Sequence, residues 1–190
     1  MPDLTLTLTS APPLAGYDTT FGDLRLTAPA DLAIVSLALP LGAEDAAKKA
    51  IKSAYGIDLP DPGKSAVSNE GARLVRLGLD MALVIFTHAT PDAERVVAGK
   101  LKGKVYTTDQ TDVWTGLALS GPRARAALER ICPIDLHADA FAENDAARTV
   151  MEHLGALIIR TGPDAFLLLS ASSSAGSFLH AIETSIDNIS

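Results

Sequence analysis

The chain has 190 residues, with 16 lysines and arginines against 23 aspartates and glutamates. The formal net charge of −7 argues against nucleic acid as a partner. A single cysteine, Cys132, excludes an internal disulfide and fits a reducing compartment.

No run approaches the ~20 apolar residues of a membrane span. The opening Met-Pro-Asp-Leu-Thr has neither a basic start nor an apolar stretch of secretory type. A cytoplasmic protein with neither nucleic acid nor membrane as partner is therefore expected. A chain of this size buries roughly 70% of its unfolded surface, so it needs no disulfide or metal staple. A mean hydropathy of +0.21 with 21% charged residues fits either an Ala-rich core in an ordinary monomer or an apolar surface partly covered by another chain.

Residues 1–31 hold Pro2, Pro12, Pro13 and Pro29 and read as an N-terminal arm, in which only Leu4-Thr-Leu-Thr-Leu8 alternates like a strand. The apolar run 33–39 is a strand. A helix over 44–55 follows, with Ala46, Ala47, Ala50, Ile51 and Ala54 on one stripe, and Gly56 ends it. Residues 61–71 form a polar loop, followed by strands 72–78 and 81–87 about a tight turn at Leu79-Asp80. A helix to Leu101 opens at Pro91-Asp92, and a turn at Lys102-Gly103-Lys104 leads into strand 105–108.

The plan then repeats. Strand 113–119 precedes Ser120-Gly121-Pro122, which opens a helix running through Cys132 with Ala124, Ala127, Leu128 and Ile131 on its stripe, stopped by Pro133. Residues 135–146 form a loop anchored by Phe141. Strands 148–153, 156–161 and 165–170 lead to a helix over 174–186 with Phe178, Ile182 and Ile186 at i+4 steps.

The echo is visible in the residues. Leu37-Ala38-Leu39 matches Leu117-Ala118-Leu119, Gly56-Ile57-Asp58-Leu59 matches Pro133-Ile134-Asp135-Leu136, and Asp80 to Thr87 matches Asp164 to Ala171, at offsets of 80, 77 and 84 residues. A period this long is a half-domain rather than a solenoid unit. The expected fold is α+β, two tandem ferredoxin-like β-α-β-β-α halves over 32–108 and 109–188, within one duplicated domain over 32–190.

Signals of chemistry are sparse. Gly63-Lys64-Ser65 resembles the end of a phosphate loop, but that motif needs a glycine where Asp58 stands, so a polar surface loop is the expectation. No dinucleotide fingerprint follows a strand. His88, His137, His153 and His180 are scattered, and Cys132 has no partner at zinc spacing. His153 reads as an exposed turn residue.

Asp135-Leu-His137 pairs a carboxylate with an imidazole but singles out no nucleophile. Ser170, Ser172, Ser173, Ser174 and Ser177 precede the last helix, where capping is preferred to anion binding. Ser120-Gly121 with Arg123 and Arg125 leaves capping and anion binding both open. Trp114 is expected in the core rather than at an interface. No catalytic, cofactor-binding or metal-ligating residue is assigned.

A series of motifs in the second half is more specific. It runs Asp109-Gln-Thr-Asp112-Val-Trp114, Leu117-Ala-Leu-Ser-Gly-Pro122-Arg-Ala-Arg, Cys132-Pro-Ile-Asp-Leu136 with Phe141, Ala147-Arg-Thr-Val150 and Leu157-Ile-Ile-Arg160. It ends with Phe166 and the serine run before Phe178-Leu179. This series resembles the gamma subunits of heterotetrameric sarcosine oxidase, closely over 105–182 and loosely over 12–104 through Pro13-Leu14-Ala15-Gly16 and Leu77-Gly78-Leu79-Asp80. That family is similar to the folate-binding part of the glycine-cleavage aminomethyltransferases.

The resemblance implies an aminomethyltransferase-folate-binding-like domain and a cytoplasmic complex of alpha, beta, gamma and delta subunits. Such a complex oxidises sarcosine to glycine with oxygen and tetrahydrofolate, giving hydrogen peroxide and methylene-tetrahydrofolate. It implies FAD, FMN, NAD and folate in the alpha and beta subunits, zinc in delta, and a structural role for gamma, with no cofactor and no catalytic residue in this chain. The alternative is a stand-alone folate-binding or aminomethyl-transfer protein, for which Asp109 and Asp112 are the candidate pterin contacts. Leu77-Gly78-Leu79-Asp80-Met81-Ala82 departs from the family's Leu-Gly-Pro-Asp-Glu-Trp turn.

Overall fold

A computed structural model describes residues 11–89 and 91–189, so the expected strand at Leu4–Leu8 lies outside the described residues. The first described strands are β1 (Asp18–Phe21) and β2 (Leu24–Thr27), an antiparallel hairpin with Phe21 opposite Leu24. Gly22 opens the two-residue turn at φ +62, a conformation glycine adopts without steric cost. No strand is expected between residues 9 and 31 from alternation alone, because four residues per strand are too few to show it. The Gly22-Asp23 pair was the usable signal.

The next elements are β3 (Leu32–Ala38), α1 (Glu44–Tyr55), β4 (Ser65–Val67), β5 (Arg73–Arg76), β6 (Met81–Thr87), α2 (Ala93–Leu101) and β7 (Tyr106–Asp109). They are followed by β8 (Trp114–Ser120), α3 (Ala124–Glu129), β9 (Ala146–Met151), β10 (Leu154–Gly162), β11 (Ala165–Ala171) and α4 (Ala175–Asp187). As expected, α1 ends at Gly56, which is left-handed and donates its N–H to the Lys52 carbonyl at 2.9 Å.

Two departures have local causes. β4 forms inside the stretch expected as loop, since its three residues take their pairing from β5 rather than from a pattern of their own. α3 stops at Glu129 rather than Cys132, because the amides of Ile131 and Cys132 both turn onto the Leu128 carbonyl. Cys132 also precedes Pro133, a position that disfavours helical backbone.

The strands form two sheets, ordered β4-β5-β6-β3-β7 and β1-β2-β8-β11-β10-β9, with every pair antiparallel. β5-β6-β3-β7 is a ferredoxin-like order, and β10-β11-β8 repeats its first three places. The fourth place in the second sheet is taken by β2, from the opposite end of the chain, pairing Arg25 with Ser120 and Leu26 with Leu119. The segment read as an arm is thus a structural strand of the second sheet.

The repeat holds with one step of slippage. Leu37 faces Ala82, and Leu117 faces Leu168 rather than Phe166, which the two offsets would pair. A shift of two residues keeps every side chain on its face, so the core pattern survives.

Side-chain parity then builds four layers. Val35, Leu37, Leu74 and Val84 pack with Ala47, Ile51, Val97 and Leu101 of α1 and α2. Leu117, Leu119 and Phe166 pack with Leu128 of α3 and with Phe178, Ile182 and Ile186 of α4. The opposite sheet faces meet through Ile34, Val75, Leu83 and Ile85 against Ala146, Leu157, Ile159 and Leu169. Central strands are therefore buried on both faces. This is why 82–86 and 157–159 are continuous apolar runs instead of alternating ones.

One edge of the sandwich is clamped by polar contacts. Ser65 N donates to Asn144 O at 2.7 Å and Ala146 N to Gly63 O at 2.8 Å. Arg73 donates to Ser65 Oγ at 2.8 Å and to Asn144 Oδ1 at 2.9 Å, while Lys64 Nζ pairs with the Asp145 carboxylate. Asp145 also accepts from Ala142 N at 3.1 Å.

The ammonium of Lys64 is half-exposed, so its Coulomb share is small. The larger loss in Asp145→Ala is the acceptor for two donors. The expected destabilisation is about 2 kcal/mol, read as a lower urea midpoint at unchanged slope. A shift within error would show that the clamp adds nothing to stability.

Candidate functional site

Most residues singled out by the sequence are spent on structure. The Gly63-Lys64-Ser65 run is not a loose surface loop. Its lysine is paired to Asp145, and Ser65, 5% exposed, donates its hydroxyl to Asn144 O. Asp135 accepts from His137 N at 2.9 Å, closing a turn, while the imidazole lies 3.4 Å from Asp139 rather than against Asp135. That pair is therefore a loop motif with an exposed ring. His153 stands exposed in the β9–β10 turn, and Cys132 is buried with Sγ 3.9 Å from Thr149 Oγ1.

Arg123 is fully committed as well. Its guanidinium donates to Asp23 Oδ1 at 2.9 Å and to the Ile189 carbonyl at 2.9 Å, tying the β1–β2 turn to the C-terminal end. Hydrogen bonding to Arg123 holds the Asp23 carboxyl below the usual carboxylate range. Gly121 must be glycine: its φ is +126, and a Cβ there would meet Asp23 O at 2.2 Å. Ser120-Gly121 thus serves close packing of the hairpin, and no side chain caps α3.

The serine run is also not a cap. Ser170 donates to Gly155 O and Ser172 to Asp112 O, and Ser174 stands at the N-cap of α4 with no side-chain bond. The preceding short 3₁₀ turn, Ser172–Ser174, carries the chain into α4 instead.

Between the two sheets, Asp109, Asp112 and Trp114 border a cavity of about 720 Å³ together with Asp31 and Ser172. Asp109 Oδ1 accepts from Thr111 N at 2.8 Å, and Thr111 Oγ1 accepts from Ile34 N at 3.2 Å. The link between β7 and β8 is thereby pinned to β3. Asp31, Asp109 and Asp112 are exposed rim residues that do not converge inside. Trp114 packs on the layer between the sheets, half-buried, with its indole Nε1 buried and unpartnered. Among the described residues, no group of three or more His, Cys, Asp or Glu could hold a metal ion, and no helix is long and apolar enough to cross a membrane.

The unusual surface lies at one end of the first sheet. Met81, Ala38 and Tyr106 are opposite one another across β6, β3 and β7, so their side chains form one row on one face. That face continues the one carrying Ile34 and Leu83, but here the second sheet does not cover it. Tyr106 is 70% exposed. Leu79 in the β5–β6 turn is 80% exposed, and Leu41 just beyond β3 is almost fully so. Leu39 N bonds Asp80 O, which brings these loops to the same sheet end. Arg148 of the second sheet reaches Met81 Sδ at 3.6 Å and edges the patch. An apolar row of this kind is chemically inert and suited to a partner surface.

No family model matches the chain. Over 127 residues it is 35% identical to sarcosine oxidase subunit gamma of Corynebacterium sp. (strain P-1), covering 65% of this chain and 62% of that protein. The corresponding Arthrobacter sp. subunit is 35% identical over 123 residues, covering 63% and 60%. The chain thus spans about three fifths of the length of the curated relatives it matches.

In solved structures, a chain of heterotetrameric sarcosine oxidase from Corynebacterium sp. U-96 matches at TM-score 0.77 and 24% identity, over 90% of this chain and 88% of that one. The glycine cleavage system aminomethyltransferase T of Bartonella henselae matches at TM-score 0.64 and 18% identity, over 83% and 44%. The fold is therefore α+β of the aminomethyltransferase type, in agreement with the duplicated ferredoxin-like plan.

Proposed function

We propose that this chain is a gamma subunit of a heterotetrameric sarcosine oxidase and that its role is to dock, not to catalyse. The observation that carries this reading is the 35% identity to two sarcosine oxidase gamma subunits on a matching fold. The exposed row of Met81, Ala38 and Tyr106, with Leu79 in the turn beside it, supports it, because it offers a neighbour apolar area without reactive groups. In the proposed cytoplasmic complex, sarcosine is oxidised to glycine by partner subunits. Oxygen becomes hydrogen peroxide and the methyl carbon leaves as methylene-tetrahydrofolate. FAD, FMN, NAD and folate belong to the alpha and beta subunits and zinc to delta.

Co-expression with alpha, beta and delta subunits tests this. The full chain is expected to co-elute with them, the complex to release peroxide from sarcosine, and the chain alone to release none. Peroxide from the isolated chain, or failure to co-elute, would overturn the proposal. The cavity beside Asp109 and Asp112 is the one observation that favours stand-alone folate binding. Calorimetric titration of the isolated chain with tetrahydrofolate separates the readings, since heat of binding there supports that alternative.

A further inference from the structure

The helix-covered face of the first sheet contains a second cavity, of about 340 Å³, that does not depend on the subunit assignment. It lies between Tyr55 at the end of α1, Val97 and Lys100 on α2, and Val84 and Phe86 on β6. Its walls are mainly apolar, and its volume is near the lower end for small-molecule sites, far too small for a dinucleotide.

Five polar or charged residues break the lining: Tyr55, Glu70, Thr87, His88 and Lys100. Tyr55 is 6% exposed, and its hydroxyl is buried without a hydrogen-bond partner. A buried donor left unmade costs stability, and most native folds satisfy it. Burial pushes the phenol up to about 12, with nearby Glu70 adding to the shift, so the hydroxyl stays protonated and able to donate. Lys100 stands at the mouth with Nζ 5.6 Å from the Tyr55 ring centroid and 2.7 Å from Glu70 Oε2. Glu70 itself is largely in solvent. The cavity therefore presents a neutral donor in its wall and, at its mouth, a lysine paired with a carboxylate.

We propose that this cavity binds a small apolar carboxylate of about the size of benzoate. The apolar body lies against Val84, Phe86 and Val97, while the carboxylate accepts from Tyr55 Oη and draws Lys100 from Glu70. A ligand ammonium would have to displace Lys100 from Glu70 to find a counter-charge and would leave the Tyr55 proton without an acceptor, and a longer chain would exceed the volume.

The test uses the full-length chain with benzoate, benzyl alcohol and benzylamine, followed by saturation-transfer NMR and calorimetry. Benzoate is expected to bind best and benzylamine more weakly than benzoate. Tyr55→Phe removes an unsatisfied hydroxyl, so this variant should fold at least as stably as the parent while binding benzoate about fivefold more weakly. Lys100→Gln should weaken benzoate and leave benzyl alcohol unchanged. A purely structural Tyr55 would change stability without touching affinity. No benzoate binding, equal binding in the Tyr55→Phe variant, or preference for benzylamine would each overturn the proposal.

Discussion

Replacing Arg160 with alanine is expected to destabilise the chain by about 4 kcal/mol, one of the largest single-residue effects available in this fold. Arg160 lies in β10 where the pairing with β11 shifts register, and it is 7% exposed. Among the described residues, no carboxylate pairs with its guanidinium. Instead it donates to the carbonyls of Phe141, at 2.7 Å, of Gly162, at 3.3 Å, and of Pro163, with Cζ 5.7 Å from the Phe166 ring centre.

A planar fork of donors suits three carbonyls arriving from a loop and a turn, a geometry the single ammonium of lysine cannot reproduce. Alanine would leave the buried Phe141 and Gly162 carbonyls without this donor and open space beside Phe166. The damage should spread, because Asn144 N bonds Arg160 O and Arg160 N bonds Asp145 O, both next to the inter-sheet clamp. Urea unfolding should show the loss, with Arg160→Lys recovering less than half of it. A penalty under about 1 kcal/mol would mean that the 141–146 loop holds its place without this anchor.

This residue also shows where sequence reading stops. The repeat, the α1 stripe and the doubly buried strands were legible because each is written in adjacent residues: Ala47 and Ile51 on a helix face, Leu157 to Ile159 as an unbroken run. Phe141 was legible as a loop anchor, being a large apolar residue among polar ones, and it is 5% exposed. What could not be read depends on a distant partner. β4 is a strand because β5 lies beside it, and Lys64 is a clamp because Asp145 lies 81 residues further on.

The placement of β2 is the strongest case, since nothing in Leu24–Thr27 says that it completes a sheet formed by residues beyond 113. The choice at Arg123 stayed open for the same reason. Its positive charge suggested anion binding, but Asp23, 100 residues earlier, is the anion it already holds. The Tyr55 and Trp114 polar atoms left buried and unpartnered are invisible to any pattern of spacing.

The exposed row on the first sheet leads to the second large effect, which concerns assembly rather than folding. Leu79 and Tyr106 are mostly in solvent, so aspartate at both positions removes little buried area from the isolated chain. Its melting temperature should stay close to that of the parent, because exposed substitutions fall within about 0.5 kcal/mol. In the proposed complex the same side chains would be desolvated, and aspartate would place an unpaired charge in an apolar contact.

Central aromatic and apolar anchors of interfaces lose about 2 kcal/mol or more each on truncation. Two such losses correspond to an affinity drop of about a thousandfold. The Leu79→Asp, Tyr106→Asp chain is therefore expected to elute apart from alpha, beta and delta subunits while remaining folded. Lys49→Asp, on the solvent side of α1, should co-elute normally. If the double variant co-purifies in parental amounts, the row is ordinary surface and the docking face lies elsewhere on the sandwich.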